Sequence, residues 1–347
     1  MDPYRVFISH SSKDRKLVKE IAAIIEQNGM QPMWDDIFIG GHGFPDQIKN
    51  FIAQSHVFVP VITRASSKRG WVHQEIGYAM ALNIPILPVT LKKIPGEMLQ
   101  HLQAIPWRDH ADLMKTRLSF DIFEKLVKDC RRRSKPLYET AELHEHRTQM
   151  MVEYAEKVKS LGYFGHVRQK GALSSFHIPD KRLDDIAWQQ RYGEENIERF
   201  RYRCEELGEE RRILEKHARE KGCSIIIDPY LDYKDYGPKA RKVRLQSLQE
   251  FLQSMPDHLV QAVIYQKMPA EESVTIVGNW FLAESVKSVM GAGYQQTIFT
   301  RHAPTIQDRI DKFDDEFQAL LDSQESSGQS SREYVMQVIQ AEIDQLS

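Results

Sequence analysis

Residues 56–63 read His-Val-Phe-Val-Pro-Val-Ile-Thr, and residues 66–75 read Ser-Ser-Lys-Arg-Gly-Trp-Val-His-Gln-Glu. The first run is short and apolar, as in a buried strand, and the second leads into a helix predicted over 71–82. A strand followed by a helix is the repeating unit of sheets whose strands run parallel. Ligands of such sheets gather at the carboxyl ends of the strands, where the following helices begin. Trp71 and Glu75 are therefore predicted to lie in a part of the fold that is suited to ligand binding.

The same alternation of strand and helix extends from residue 4 to about residue 129. Strands are predicted at 5–9, 30–34, 56–63 and 84–89, and helices after Ser11 or Ser12, at 44–54, at 71–82 and at 120–127. Repeated units of this length indicate an α/β fold in which helices cover both faces of a parallel sheet.

The rest of the chain divides by composition into four segments. Residues 130–140 contain Arg-Arg-Arg-Ser-Lys-Pro and are predicted to be a solvated linker, because a nucleic-acid surface would need more basic residues nearby. Residues 141–222 are helix-rich, and residues 223–322 form a second α/β unit. Residues 323–347 are predicted to be a flexible linker and a terminal amphipathic helix that docks on its own chain or on a partner.

Within the helix-rich segment, apolar residues recur at alternating spacings of three and four, as in a heptad seam. The members of this seam are Ile197, Phe200, Cys204, Leu207, Leu214 and Ala218. Two interpretations remain open. The seam belongs either to a long amphipathic helix that packs on its own domain or to a coiled coil that joins two copies of the chain.

The composition is that of an ordinary soluble protein. The net charge of −2 over 347 residues provides no basic field for nucleic acid or an anionic membrane. The three cysteines are widely spaced, which favours a reducing compartment over a disulfide framework. Neither a signal peptide nor an apolar run of membrane-spanning length is found, so a cytoplasmic location without membrane contact is predicted.

Three ordered motifs of the first domain resemble those of a TIR domain. They are Val6-Phe7-Ile8-Ser9-His10-Ser11, Trp34-Asp35-Asp36 before a glycine-containing loop, and Trp71-Val72-His73-Gln74-Glu75-Ile76. The resemblance covers residues 1–129 and implies a flavodoxin-like fold with a five-stranded parallel sheet. The loop over residues 35–43 corresponds to the BB loop of that family.

The resemblance also implies an activity. Animal receptor and adaptor TIR domains are scaffolds, whereas bacterial, plant and axonal-degeneration TIR domains cleave NAD⁺ at the nicotinamide–ribose bond. Glu75 occupies the place of the catalytic glutamate of the enzymatic class. The residues expected to contact the substrate are Phe7, His10, Ser11, Asp35, Gly40 and Trp71. NAD⁺ is then the substrate, with no separate cofactor and no metal.

A carboxylate suits this reaction for a physical reason. Nicotinamide is already cationic when attached and leaves readily, so the costly event is the positive charge that develops on the ribose. A carboxylate beside the ribose can accept hydrogen bonds from its hydroxyls and stabilise that charge. Trp71 and Glu75 are four residues apart and thus share one helix face.

Each candidate also has a purely structural interpretation. Glu75 could be a solvated carboxylate on the helix surface, and Trp71 a core residue at the start of the helix. Phe7 could be core, Ser11 a simple helix cap, and Asp35 a turn residue.

The second α/β unit faintly resembles half of a phospholipase D-like domain, through Ile225–Tyr230, Val274–Phe281 and Phe313–Leu320. The HxK motif of that family is absent from the sequence, so a silent sensor or assembly domain is expected instead. A TIR domain followed by such a domain is similar in layout to bacterial antiphage effectors. That layout implies self-association through both regions and an activating ligand or partner protein.

Three functions follow from these observations. The first is an NAD⁺ glycohydrolase that depletes NAD⁺ once assembly activates it. The second is a TIR domain that converts NAD⁺ into a cyclic ADP-ribose-type signal through the same glutamate. The third is a non-catalytic scaffold, against which the pair Trp71 and Glu75 weighs.

Overall fold

The computed structural model describes residues 3–34, 44–68, 70–91, 99, 102–108, 111–133, 139–141, 144–171, 173, 197–231, 237–266, 273–287, 295–325 and 330–346. The chain divides into two compact units. The first comprises Met1–Leu137 with Arg301–Asp308, and the second comprises Tyr138–Thr300 with Arg309–Ser347. Within the described residues, no helix is both long and apolar enough to cross a membrane.

The first unit is built on a five-stranded sheet. Its elements are β1 (Arg5–Ser9), α1 (Arg15–Gln27), β2 (Gln31–Met33), α2 (Phe44–Ala53), β3 (Val57–Ile62), α3 (Gly70–Ala81), β4 (Val89–Thr90), β5 (Ile105–Pro106), α4 (Ala111–Arg117) and α5 (Phe120–Arg133). The strand order is β2-β1-β3-β4-β5, and every neighbouring pair is parallel. The predicted parallel sheet of five strands is therefore confirmed.

Strand β4 is shorter than the predicted strand over residues 84–89. Pro85 and Pro88 have no amide hydrogen to donate, which interrupts the ladder. Ile86 makes only an isolated bridge to Phe58, and regular pairing begins at Val89.

The sheet is covered on both faces. Val6, Ile8, Val57 and Val59 pack against α1 and α5 in one apolar core. Right-handed crossovers that run toward opposite edges of a sheet place their helices on opposite faces. Helices α2 and α3 therefore cover the other face, to which Phe7 belongs by the alternation of side chains along β1.

The second unit is built on a seven-stranded mixed sheet. The remaining elements of the chain are β6 (Glu139–Ala141), α6 (His144–Ser160), β7 (Val167–Gly171), α7 (Ile197–Lys221), β8 (Cys223–Ile227), α8 (Gly237–Ser254), β9 (Val260–Ile264), β10 (Ser273–Val277), β11 (Phe281–Lys287), β12 (Gln295–Thr300), α9 (Ala303–Glu325) and α10 (Ser331–Gln345). The order is β6-β12-β11-β10-β7-β8-β9. Strands β7, β8 and β9 are parallel to one another, and the other pairs are antiparallel.

This sheet joins the two segments whose predicted boundary is residue 222. Strand β7 lies inside the helix-rich segment, yet it pairs with β8 of the second α/β segment. Strand β7 reads Val-Arg-Gln-Lys-Gly and has no apolar run that would predict a buried strand. Its Arg168 and Lys170 can be buried because they form ion pairs with Asp314 and Glu316. The two segments therefore form one compact unit.

Two amphipathic segments of the sequence pack within this unit. Leu214 and Ala218, at the end of the predicted seam, lie in the same apolar core as strands β7, β8 and β9. Val335, Ile339 and Ile343 of α10 belong to that core as well. The terminal helix thus docks on its own unit.

Candidate functional site

The carboxyl end of β1 presents Phe7, His10 and Ser11. Phe7 is buried, and its ring stacks on Phe58 with the centroids 5.9 Å apart, so its side chain belongs to the core. Ser11 is also buried and caps the helical turn Ser12–Asp14, with its hydroxyl oxygen accepting from the Lys13 amide at 3.5 Å. Phe7 thus has a structural role in the core and Ser11 a structural role as a helix cap, and contact with a substrate would be a second role for either residue.

His10 links the ends of two neighbouring strands. Its ring lies 6.0 Å from the ring of Trp34, which directly follows β2, at an angle of 59°. The half-buried imidazole also places Nδ1 3.4 Å from the carbonyl oxygen of Ile8. Two aromatic rings with polar nitrogens thus meet at the carboxyl edge of the sheet.

Glu75 is buried inside the helix that follows β3. The buried positions of α3 are Val72, Glu75, Ile76 and Ala79, which form one stripe at helical spacing. The glutamate occupies a position of this stripe where an apolar residue is expected, and it is only 7% exposed. The interpretation of Glu75 as a solvated surface carboxylate is therefore wrong. Carboxylates are rarely buried this far, because desolvation of the charge is costly unless other interactions offset it.

Trp71 lies one turn before Glu75 and is 37% exposed. An indole with this much accessible surface does not lie in the core, so the core interpretation fails for Trp71. The i and i+4 positions direct both side chains toward the same side of α3. An accessible aromatic ring therefore lies beside a buried carboxylate.

The topology brings these residues to one edge of the sheet. Strands β1 and β3 are parallel, with Ser9 in register with Pro60, so their carboxyl ends meet at the same edge. Helix α3 begins eight residues after the end of β3 and so starts from that edge. His10, Trp71 and Glu75 share it. The other two candidates, Asp35 and Gly40, lie outside the described residues.

Sequence reasoning overlooked the polar residues that hold this edge together. The Thr63 hydroxyl donates to the Asp14 carboxylate at 2.8 Å, and the Ser66 hydroxyl accepts from the Thr63 amide at 2.8 Å. The hydroxyl of Ser9 is buried and has no hydrogen-bond partner among the described residues. Alternation along β1 could have placed Ser9 on the same face as Phe7, the face that α3 covers.

Among the residues that the structure describes, no group of three or more histidine, cysteine or acidic side chains is arranged to hold a metal ion.

A family match agrees with the fold of the first unit. Residues 6–119 match the family model described as TIR domain, and the chain therefore contains a TIR domain. No curated protein matches the chain. Among solved structures, the CMP N-glycosidase BcmB of Clostridium botulinum is similar at 16% identity, over 33% of this chain and 97% of that one, with a TM-score of 0.26.

Proposed function

We propose that the TIR domain at residues 6–119 is an NAD⁺ glycohydrolase in which Glu75 is the catalytic residue. The observation that carries this proposal is the burial of the Glu75 carboxylate in the core-facing stripe of α3, at the carboxyl edge of a parallel sheet. A carboxylate at this place can stabilise a cationic sugar, which is a task of an enzyme and not of a scaffold.

In the proposed reaction the bond between nicotinamide and C1 of the ribose breaks first. Nicotinamide leaves with the bonding electron pair and becomes neutral, so it needs no protonation. The positive charge that develops on the ribose is stabilised by the Glu75 carboxylate, which also accepts hydrogen bonds from the ribose hydroxyls. Water then adds to C1 and loses a proton, which yields ADP-ribose. Low solvent access around Glu75 strengthens its electrostatic effect.

Trp71 and His10 are proposed to bind the substrate. The accessible indole of Trp71 can stack on the nicotinamide or adenine ring, on the same side of α3 as Glu75. His10 lies at the end of β1, where its imidazole can donate to a ribose hydroxyl or a phosphate. Phe7, Ser11, Asp35 and Gly40 are proposed to line the same pocket.

Assembly is proposed to control this activity. TIR domains self-associate, and the second unit is proposed to serve as the assembly or sensor domain that responds to a ligand or partner protein. In a bacterial cell, activation would deplete NAD⁺, which fits a role in antiphage defence. Activity is therefore expected to rise with protein concentration.

The test is NAD⁺ loss at high protein concentration, with the products separated by chromatography. Wild type should release nicotinamide and ADP-ribose, and Glu75→Gln should be slower by about 10²-fold or more, because it keeps the side-chain size but loses the charge. The matched control is Glu20→Gln, an exposed glutamate on α1 of the same domain, which should retain wild-type activity. If wild type forms a cyclic product instead of ADP-ribose, the reaction is a cyclisation and not a hydrolysis. If Glu75→Gln consumes NAD⁺ as fast as wild type, Glu75 is not the catalytic residue.

A further inference from the structure

A hydrogen-bonded chain in the second unit joins a serine, a histidine and the end of a helix. The hydroxyl oxygen of Ser224, on β8, lies 2.9 Å from Nε2 of His166. Nδ1 of the same imidazole lies 3.0 Å from the carbonyl oxygen of Lys221. A carbonyl can only accept, so Nδ1 carries a proton, and when the ring is neutral Nε2 accepts from Ser224. This is the arrangement in which a histidine acts as general base toward a serine hydroxyl.

Backbone geometry fixes the position of this imidazole. Gly222 has a φ of 85°, and a Cβ at this residue would lie 2.9 Å from the Leu259 carbonyl oxygen and 3.3 Å from Nδ1 of His166. A Cβ on Gly165 would lie 2.5 Å from the amide nitrogen of Gly278, which donates to the His166 carbonyl at 2.8 Å. Because Gly165 and Gly222 have no Cβ, the backbone can pack closely around His166 and hold its side chain in place.

The helix end takes the role that a carboxylate has in other serine–histidine sites. Lys221 is the last residue of α7, a helix of 25 residues. The free carbonyl groups at a helix C-terminus carry a partial negative charge of about half an electron, which stabilises a nearby imidazolium. Proton transfer from Ser224 to His166 would create an imidazolium directly against this terminus.

A cationic donor lies beside the serine on the same sheet face. Arg168 is the register partner of Ser224 on β7, so both side chains leave the sheet in the same direction. Nε and Nη2 of Arg168 donate to Asp314 at 2.7 and 2.9 Å. Arg168 is only 7% exposed, and its buried Nη1 has no hydrogen-bond partner among the described residues. A buried donor of this kind is suited to an oxyanion.

An open groove lies at the strand next to that of the serine. Ser224 is 8% exposed, His166 is half-buried, and Gln261, the register partner of Ser224 on β9, is exposed. Gln261 forms part of the wall of an open groove of about 780 Å³, to which Leu321 and Met336 contribute apolar surface. The groove also presents polar side chains, among them Arg332 and Glu333, and its volume is sufficient for a small ester.

We propose that the second unit contains an ester-hydrolysing site with Ser224 as nucleophile, His166 as general base and Arg168 as oxyanion donor. Oγ of Ser224 bonds to the ester carbonyl carbon while its proton passes to Nε2 of His166. The C–O bond to the alcohol then breaks, and the leaving oxygen takes the proton from His166. Water, deprotonated by His166, releases the carboxylic acid and restores Ser224. The site is separate from the NAD⁺ site and does not depend on its activity.

A fluorophosphonate probe tests the nucleophile directly, because attack by Ser224 forms an O–P bond and expels fluoride. The full-length protein should acquire one probe adduct, which peptide mapping should locate on Ser224. Ser224→Ala should abolish this adduct, whereas Ser254→Ala, at an exposed serine of the same unit, should leave it unchanged. Absence of the adduct from folded wild type, or its persistence in Ser224→Ala, would overturn the proposal.

The base is tested by the rate of hydrolysis of p-nitrophenyl butyrate. His166→Gln should lower this rate by about 10²-fold or more, since general base catalysis contributes at least that much. His258→Gln, at an exposed histidine, is the control. As a second variant, Ser224→Cys should react with iodoacetamide at that position faster than the native cysteines do, because His166 favours the thiolate. Equal rates in His166→Gln and wild type, or an inert thiol at position 224, would contradict the role of His166.

Discussion

Thr63 donates a hydrogen bond from Oγ1 to Oδ2 of Asp14 over 2.8 Å, and so ties the end of β3 to the helical turn that follows β1. The same Oγ1 accepts from the amides of Ala65 and Ser66, each at 3.1 Å, and the Ser66 hydroxyl accepts from the Thr63 amide. These contacts hold the loop that leads into α3. The position of Glu75 relative to β1 thus depends on a compact polar turn.

Thr63→Val removes this hydroxyl and nearly preserves the side-chain volume. The amides of Ala65 and Ser66 lose their acceptor in a largely buried place, so the free energy of unfolding should fall by about 1–3 kcal/mol. Urea denaturation measures this change. Thr63→Ser keeps the hydroxyl and should lose less, and an unaltered denaturation midpoint in Thr63→Val would show that the turn is held by other contacts.

A buried ion pair joins α6 to α7 in the second unit. Arg147 makes two hydrogen bonds to Glu210, at 2.6 and 3.0 Å, and Glu210 is fully buried. Glu210→Met leaves the buried guanidinium without the Glu210 carboxylate and should lower the free energy of unfolding by about 3–5 kcal/mol. The double variant Arg147→Met with Glu210→Met removes both charges and should recover most of the loss. A double variant as unstable as Glu210→Met would mean that packing volume, not charge, sets the cost.

Cys223 should be chemically inert in the folded protein. Burial raises the pKa of its thiol to about 12, because the thiolate cannot be solvated there. A disulfide reagent at mildly alkaline pH should therefore modify Cys223 only after the protein is unfolded in guanidinium chloride. Peptide mapping of the two samples makes the comparison. Rapid labelling of Cys223 in the native protein would indicate that β8 opens locally.

The fold of the first unit could be predicted because its strands are short apolar runs between clear helix patterns. Helix α3, predicted over 71–82, spans Gly70–Ala81, and the parallel sheet follows from the alternation of elements. Burial of Glu75 could not be predicted in this way. Periodicity marks which face of a helix is apolar, and a functional carboxylate on that face departs from the pattern.

The second unit shows why a buried strand with charged residues is difficult to predict from the sequence. Arg168 and Lys170 are polar by composition and become compatible with a central strand only through Asp314 and Glu316, about 146 residues further along the chain. The pair of Ser224 and His166 is likewise separated by 58 residues. A search for short motifs cannot find such a site, because only the register of β7 and β8 brings its members together.

His217 is buried as a neutral imidazole with both nitrogens satisfied. Its Nδ1 accepts from the Gly165 amide at 3.1 Å, and its Nε2 donates to the Ala155 carbonyl at 3.0 Å. Burial is the main cause that lowers the pKa of His217 below its ordinary value of 6.5, and Lys159 acts in the same direction. The bond to Ala155 and the charge of Glu156 oppose this shift without cancelling it.

Folding should therefore depend on pH through His217. Its pKa is lower in the folded state, so the unfolded chain binds more protons as the pH falls below 6.5. The stability that neutral His217 contributes is complete above pH 6.5 and is lost as the pH falls toward the folded pKa. Over that interval the free energy of unfolding should decrease by up to about 1.4 kcal/mol per pH unit from this group. Urea denaturation across the interval should show a weaker dependence in His217→Gln, which cannot titrate, and equal slopes in both proteins would mean that other groups govern the acid response.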